Sequence, residues 1–452
     1  MHASTGLVPT EPDSSEGTAD LGNGQYLILG ISISPARAES RSAHPHSAAR
    51  IRITTARQAL HCAYVSATLP NHLYVHVPFC AHRCGYCDFV TVSHQPELHA
   101  RYVDAVLCEL ALRAADTGDG SDHRFQTVFV GGGTPTLLEP VELARLLTDL
   151  NERLVDGGEL SVECNPETVT PQLAGLLVEH GVSRVSLGAQ SFSPHVLQTL
   201  ERRATPDTVC GAADMLRAAG VRELSLDLIW AVPGQTDADV RRDLAGALAL
   251  APDHLSAYEL EFKPGTRLTH KYADRDLDAA EEAGDEHYEI VIDTLEAAGF
   301  EWYETANFAR NGHYAHHNIG YWTQADYAGV GIGAVGTVRG ERRMNLPNLP
   351  RYLKALEAGE LPPARLEQID AETAQRERIM LALRLARPCT LSTHDLDTVI
   401  DHEWLDQLVG SDLATVTPHG CGVDEFGGDA LTIELTRRGR LLLSGVLTRL
   451  LK

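Results

Sequence analysis

The chain of 452 residues has room for two or three domains, and its 43% apolar content can supply a large core. Its 62 acidic and 38 basic residues give a formal charge of −24, which argues against nucleic-acid binding because phosphate backbones would be repelled. No apolar run reaches the roughly 18 residues that a spanning helix needs, so we expect no membrane insertion, while peripheral contact stays open.

The nine cysteines are too sparse for a disulfide scaffold. Three lie close together. The other six are scattered along the chain, as is typical of cysteines that serve as small buried apolar residues. Free thiols of this kind indicate a reducing compartment, and we therefore expect a cytoplasmic protein.

Residues 1–70 differ in composition from the rest of the chain. The first 25 are rich in small polar and acidic residues and lack a secretory signal, whereas 31–60 contain five arginines and Glu39 as their only acid. We interpret 1–70 as a disordered extension or as a translation start assigned too far upstream. The organised protein should begin near Leu73.

From Leu73 onward, short β-branched segments alternate with helical ones such as 97–115 and 139–154. Six strands are predicted, at 73–78, 127–132, 159–165, 184–190, 223–231 and 254–260. Strands that alternate with helices and are apolar on both faces favour parallel β/α units, and hence an α/β fold.

Polar or glycine-rich residues accompany the end of each predicted strand. They include the segment CAHRCGYC after the first strand, GGGTPT at the second, ECNPE at the third, Gln190-Ser191 at the fourth, and Asp227 and Tyr258 in the last two. In barrels of parallel strands the functional residues collect at the C-terminal strand ends. The sequence therefore predicts one site at that end of the sheet.

Three cysteines after the first strand, Cys80, Cys84 and Cys87, have the spacing C-x3-C-x2-C. Three thiolates can bind three irons of a [4Fe–4S] cluster and leave the fourth iron open. The alternatives are a chance group of buried cysteines or a zinc site short of one of its four usual ligands.

Seven motifs, YVHVPFC, CGYCDF, GGGTPT, ECNPET, SLGAQSF, DLIWAVPGQT and HHNIGYW, resemble those of the oxygen-independent coproporphyrinogen III oxidase-like family of radical S-adenosylmethionine (SAM) proteins. The resemblance covers 73–452 and is greatest to its HemW-type heme chaperones. It implies a partial (β/α)6 barrel over 71–310, a connecting region over 311–368, and a small winged-helix-like α+β domain over 369–452.

The resemblance also implies that the three cysteines bind a [4Fe–4S] cluster whose open iron binds SAM. The implied SAM-binding residues are Tyr74, Tyr86, Gly133, Thr134, Glu163, Gln190, Arg202 and Asp227. Their chemistry suits SAM, because carboxylates pair with ammonium groups and guanidinium groups with carboxylates. Alternatively, Glu163 and Asp227 are solvated or capping groups and Arg202 is a surface charge.

HHNIGYW resembles an H-N-x-x-Y-W motif that is linked to heme binding in the chaperones. His317 could ligate heme iron, with Tyr321 and Trp322 as flat surfaces for the porphyrin. His313 and His316 are rival ligands, and a packed, hydrogen-bonded His317 is the plainer alternative.

Two positions depart from the family, since Ala204 and Val335 stand where histidine is common. The pattern Gly331-x-Gly333-x-x-Gly336 matches a dinucleotide fingerprint, but no helix is predicted after it. We therefore interpret these glycines as sites of close backbone packing.

Phe89 stands where the oxidases of the family carry a fourth cysteine. We therefore predict a heme chaperone that delivers heme to acceptor hemoproteins, with an electron donor for its cluster. The alternative is oxygen-independent oxidation of coproporphyrinogen III by a SAM-derived radical.

Overall fold

The computed structural model describes residues 70–93, 95–116, 124–272, 274–423 and 429–452. The predicted N-terminal extension, apart from its last residue, lies outside the described residues. No helix of the described ranges is both long and apolar enough to cross a membrane.

The described residues form seventeen strands. In chain order they are β1 His72–Val77, β2 Phe79–Cys80, β3 Val92–Ser93, β4 Phe125–Gly132, β5 Leu154–Cys164, β6 Arg184–Gln190, β7 Glu223–Trp230, β8 His254–Glu259, β9 Glu301–Trp302, β10 Asn307–Ala309, β11 Tyr327–Val330, β12 Val335–Val338, β13 Glu341–Asn345, β14 Ala364–Gln368, β15 Cys389–Leu391, β16 Ala414–Val423 and β17 Asp429–Leu435.

They also form fifteen α-helices, besides three single-turn 3₁₀ helices at Pro96–Leu98, Pro135–Leu137 and Pro166–Thr168. The α-helices are α1 His99–Asp116, α2 Pro140–Glu152, α3 Pro171–Glu179, α4 Pro194–Thr199, α5 Pro206–Ala219, α6 Asp237–Ala249, α7 Arg267–Lys271, α8 Asp274–Ala297, α9 His316–Trp322, α10 Leu349–Glu357, α11 Ala371–Ala382, α12 Thr393–Thr398, α13 His402–Gly410, α14 Arg437–Leu441 and α15 Leu443–Leu450.

A twelve-stranded sheet dominates the molecule, and its middle is seven parallel strands in the order β11-β1-β4-β5-β6-β7-β8. Successive side chains of a strand point to opposite faces. In β1, Leu73, Val75 and Val77 are fully buried in the core that the helices cover, while Tyr74 and His76 lie on the inner face. We call this inner face the lumen, its C-terminal strand ends the upper end, and the opposite ends the lower end.

The α/β fold is confirmed, and the six predicted strands correspond to β1, β4, β5, β6, β7 and β8. The seventh parallel strand, β11, was not predicted, because it comes from the expected connecting region and carries glycine where strands usually carry β-branched residues. A Cβ on Gly329 would lie only 2.1 Å from the carbonyl oxygen of Val335. The close approach of β12 therefore excludes the side chain that would have given a strand signal.

The C-terminal residues form a separate three-stranded antiparallel sheet, in the order β15-β17-β16, with α11 to α15 around it. Its apolar core includes Ile379, Leu391 and Ile433, and also Trp322 at the end of α9. Helix α9 therefore belongs to both packing units: it contacts β4 on one side and α11 on the other.

Candidate functional site

The cysteine loop leaves β1 at the upper end and is held by backbone hydrogen bonds on both sides. Cys80 is buried, and Cys84 and Cys87 are half-buried. The Gly85 N–H donates to the Leu200 carbonyl at 3.2 Å, and the Gly85 carbonyl accepts from the Leu268 N–H at 2.9 Å. The structure thus keeps the three thiols together on one anchored loop.

A chain of polar contacts joins two of these thiols through the ends of neighbouring strands. The Thr134 hydroxyl lies 3.8 Å from Cys80 Sγ and accepts from Asn165 Nδ2 at 2.9 Å. Arg202 Nη2 donates to Asn165 Oδ1 at 3.0 Å, and its Nη1 lies 3.6 Å from Cys84 Sγ. Arg202 is therefore engaged beside the cysteine loop and is not a solvated surface charge.

Glycine is required where β4 passes beneath the cysteine loop. A Cβ on Gly133 would lie 2.7 Å from the carbonyl carbon and oxygen of Pro78, and Gly132 has φ +105°. The Gly132 N–H donates to Glu163 Oε2 at 2.9 Å. The GGGT turn thus brings the backbone of β4 against both the loop and the carboxylate.

Two carboxylates, Glu163 and Asp227, lie deep on the inner face. Burial and the nearby Asp227 charge raise the pKa of Glu163 to about 7. Burial raises the pKa of Asp227 to about 6, although Ser186 donates to Asp227 Oδ1 at 2.8 Å. Their hydrogen bonds come from neutral donors, so a bound cation would be stabilised between them.

Tyr74 stands on the same face below this carboxylate pair. Its hydroxyl donates to His76 Nδ1 at 3.0 Å, and His76 Nε2 donates to the Val90 carbonyl at 2.8 Å. Burial lowers the pKa of His76 to about 4, so the ring is neutral and links β1 to the end of the cysteine loop. His76 was missed as a site residue, although YVHVPFC contains it.

Tyr86 and Gln190 complete the predicted set. Tyr86 packs on an apolar group that includes Leu200 and Leu260. Gln190 has φ +64°, an uncommon conformation for a residue other than glycine. Buried Asp243 fixes the following turn, where it accepts from the Ser191 hydroxyl at 2.9 Å and the Phe192 N–H at 2.6 Å.

These residues fit the cofactors that the motifs imply. Three thiols on one loop can ligate a cluster on three irons. The paired carboxylates suit a cationic ligand, and the glycine turn leaves backbone close to it. No three histidine, cysteine or carboxylate side chains of the described ranges are already gathered to hold a single metal ion.

The predicted heme residues do not join this group, since α9 closes the lower end of the lumen. His317 is 1% exposed, and its ring stacks on Phe129 with centroids 5.3 Å apart. Its Nδ1 is hydrogen-bonded to Thr127 Oγ1 at 2.7 Å and its Nε2 to the Tyr321 hydroxyl at 2.8 Å. In this conformation His317 is the packed, hydrogen-bonded residue of the plainer alternative.

The rival histidines differ in exposure. His316 is exposed, and its backbone N–H donates to Glu159 Oε2 at 2.9 Å. His313 is half-buried, with Nδ1 3.5 Å from Glu223 Oε1. Trp322 points away from the lumen into the C-terminal core, where the Arg384 guanidinium lies 5.4 Å from its ring centroid.

The family model for the radical SAM superfamily matches residues 74–245. A heme chaperone HemW from Mycobacterium tuberculosis is 36% identical over 391 residues, which are 84% of this chain and 95% of that protein. The heme chaperone HemW of Bacillus subtilis is 33% identical over 69% of this chain and 82% of its own. The solved coproporphyrinogen III oxidase (HemN) from Escherichia coli shares the fold, with a TM-score of 0.69, 23% identity, and coverage of 84% of this chain and 90% of that one.

A partial barrel of parallel strands with a three-cysteine loop at their C-terminal ends is the architecture of a radical SAM protein. Similarity to the named heme chaperones extends well beyond that barrel and covers nearly the whole length of the M. tuberculosis protein. The chain belongs to the HemW family.

Proposed function

We propose that this protein is a heme chaperone, which binds heme and passes it to acceptor hemoproteins. The observation that carries the proposal is the similarity to HemW over 95% of the length of a named heme chaperone. Phe89, 45% exposed beside the cysteine loop, is a second support, because a fourth cysteine is expected there in an oxidase.

Cys80, Cys84 and Cys87 would hold a [4Fe–4S] cluster, and SAM would lie against its open iron. When bound there, the cluster would supply an electron that can cleave SAM. The protein's own contribution is placement: Glu163 and Asp227 offer buried negative charge to the cationic ligand, and Gly133, Thr134, Gln190 and Arg202 frame it. Tyr74 and Tyr86 are the aromatic neighbours of the same site.

The electron donor would approach over the cysteine loop, where basic side chains gather. Arg83 is exposed in that loop, and Arg267 is half-exposed and bound to Glu201. Arg203 and Lys271 are exposed on neighbouring segments. Even with the exposed Asp88 and the paired Glu201 among them, these side chains make the surroundings of the loop less acidic than the chain as a whole, which carries −24, and this favours a donor with an acidic face. The free cysteines of the described ranges agree with a cytoplasmic location.

An anaerobic heme titration of the cluster-reconstituted protein, followed through the Soret band, tests the proposal. We expect saturable binding near one heme per chain, followed by transfer of the heme to an apo-hemoprotein. Absence of binding would contradict the proposal. Turnover of coproporphyrinogen III without heme binding would favour the oxidase alternative. The similarity to HemN supports only the fold of that alternative.

A further inference from the structure

A group of hydrogen-bonded side chains lies beneath α9, away from the upper site. A single hydroxyl, Thr127 Oγ1 on β4, lies 2.8 Å from Nδ1 of His72 and 2.7 Å from Nδ1 of His317. Both histidines are buried, at 2% and 1% exposure, and their rings meet edge to face with centroids 5.9 Å apart. Tyr321 bonds the other nitrogen of His317.

This arrangement leaves His317 no free lone pair. A neutral imidazole has one donor and one acceptor nitrogen, and only the acceptor can ligate iron. If Nδ1 is the acceptor, Thr127 donates to it. If Nε2 is the acceptor, Tyr321 donates to it. In either tautomer the nitrogen that iron requires is already hydrogen-bonded inside the protein.

The packing around His317 allows no approach by a porphyrin while α9 stays in place. Phe129 covers one face of its ring, and the His72 ring lies at its edge. The next turn of α9 is equally close, since a Cβ on Gly320 would lie 2.6 Å from Nε2 of His72. The helix is therefore seated directly on the lower end of the sheet.

We propose that Thr127, His72 and Phe129 form a latch that holds the heme motif closed, and that α9 must leave the lower end of the lumen before His317 binds heme. This inference rests on the proposed function. The apparent heme affinity is then the intrinsic affinity multiplied by the fraction of molecules in which α9 has left the lower end. Weakening the latch should tighten heme binding, whereas removing the ligand should abolish it.

Thr127→Val tests the latch because it keeps the shape of the side chain and removes the shared hydroxyl. The two histidine nitrogens then lose their partner in the closed state only, so we expect roughly tenfold tighter heme binding. Thr127→Ser keeps the hydroxyl and should bind heme with the affinity of the wild-type protein. His317→Ala should lose binding, and His316→Ala, its exposed neighbour on α9, should keep it.

Hydrogen exchange of the amides in 316–322 provides a second readout, which does not depend on the stability of the variant. In the unchanged protein these amides should lose protection when heme binds. Retained protection in the heme-bound protein would overturn the latch, as would unchanged or weaker binding by a folded Thr127→Val variant. If neither the wild-type protein nor the Thr127→Val variant binds heme, the proposed function itself is overturned. If both bind heme with the same affinity, only the latch is overturned.

Discussion

The two ends of the lumen differ in how their buried charges are paired. At the upper end, Glu163 and Asp227 have raised pKa values and neutral hydrogen-bond donors, and the thiols of Cys84 and Cys87 remain partly accessible. At the lower end, both nitrogens of His317 are engaged, and Arg184 Nη2 binds Glu223 and two backbone carbonyls, although His72 Nε2 and Arg184 Nε and Nη1 are buried without a hydrogen-bond partner. The upper end therefore buries two carboxylates whose hydrogen bonds come from neutral groups, whereas the carboxylate of Glu223 at the lower end is paired with a guanidinium.

Cys84→Ser should produce the largest change at the upper end. A hydroxyl does not replace a thiolate as a cluster ligand, so we expect the reconstituted protein to lose its cluster iron and brown absorbance. Cys210→Ser, a half-buried thiol on α5, is the matched control and should keep both. Four irons per chain in the Cys84 variant would remove the upper end as the cluster site.

Arg184→Met should be the most damaging change at the lower end. The Arg184 side chain is 3% exposed and lies 2.6 Å from Glu223 Oε2, so its removal leaves two backbone carbonyls and a part-exposed carboxylate without this donor. We expect the free energy of unfolding to fall by about 2–3 kcal/mol in denaturant titrations, because the Glu223 carboxylate is 30% exposed and also lies near His313. Arg101→Met, which breaks the exposed pair with Glu357, should cost less than about 1 kcal/mol. Equal losses of unfolding free energy in the two variants would contradict the prediction that Arg184 stabilises the protein more than an exposed ion pair does.

Glu163→Gln should weaken SAM binding by roughly ten- to a hundredfold, since it removes a charge-assisted contact. With a pKa of about 7, the carboxyl ionises as pH rises from about 6 to about 8, so SAM affinity should rise over that range. The variant should lose this pH dependence, as calorimetric titrations would show. A pH dependence identical in both proteins would exclude Glu163 as its source.

The same pKa shift predicts a stability change of the cofactor-free protein. Between the ordinary value of 4.5 and about 7, the folded carboxyl holds more protons than the unfolded one. The free energy of unfolding should therefore decrease as pH rises through this range. Glu163→Gln should remove this component of the slope in denaturant titrations at several pH values.

Phe89→Ala should have the smallest effect. The ring is 45% exposed beside the cysteine loop, so its loss should change stability by no more than about 0.5 kcal/mol and leave four irons per chain. Iron analysis and thermal unfolding would check this. A large loss of cluster would show that the ring shields the cluster, and would sharpen the contrast with the closed lower end.

The strands that form the upper site could be predicted, because each is β-branched and is followed by glycine or polar residues. Strand β11 could not, since Gly329 must lack a side chain to let β12 approach. The glycine run Gly331-x-Gly333-x-x-Gly336 leads into strand β12, which contains Gly336, and then into β13 instead of a helix. A Cβ on Gly331 would lie 2.5 Å from the carbonyl oxygen of His76, as expected for close packing.

The sequence by itself determined the cysteine loop, the order of the β/α units and the family, because these depend on local spacing and on motifs that are continuous along the chain. Only the tertiary structure decided which predicted residues meet. It joins Cys84 to Arg202, 118 residues away, and Thr127 to His317, 190 residues away. Whether a histidine is a free ligand or a satisfied core residue depends on such distant partners, and no local pattern encodes them.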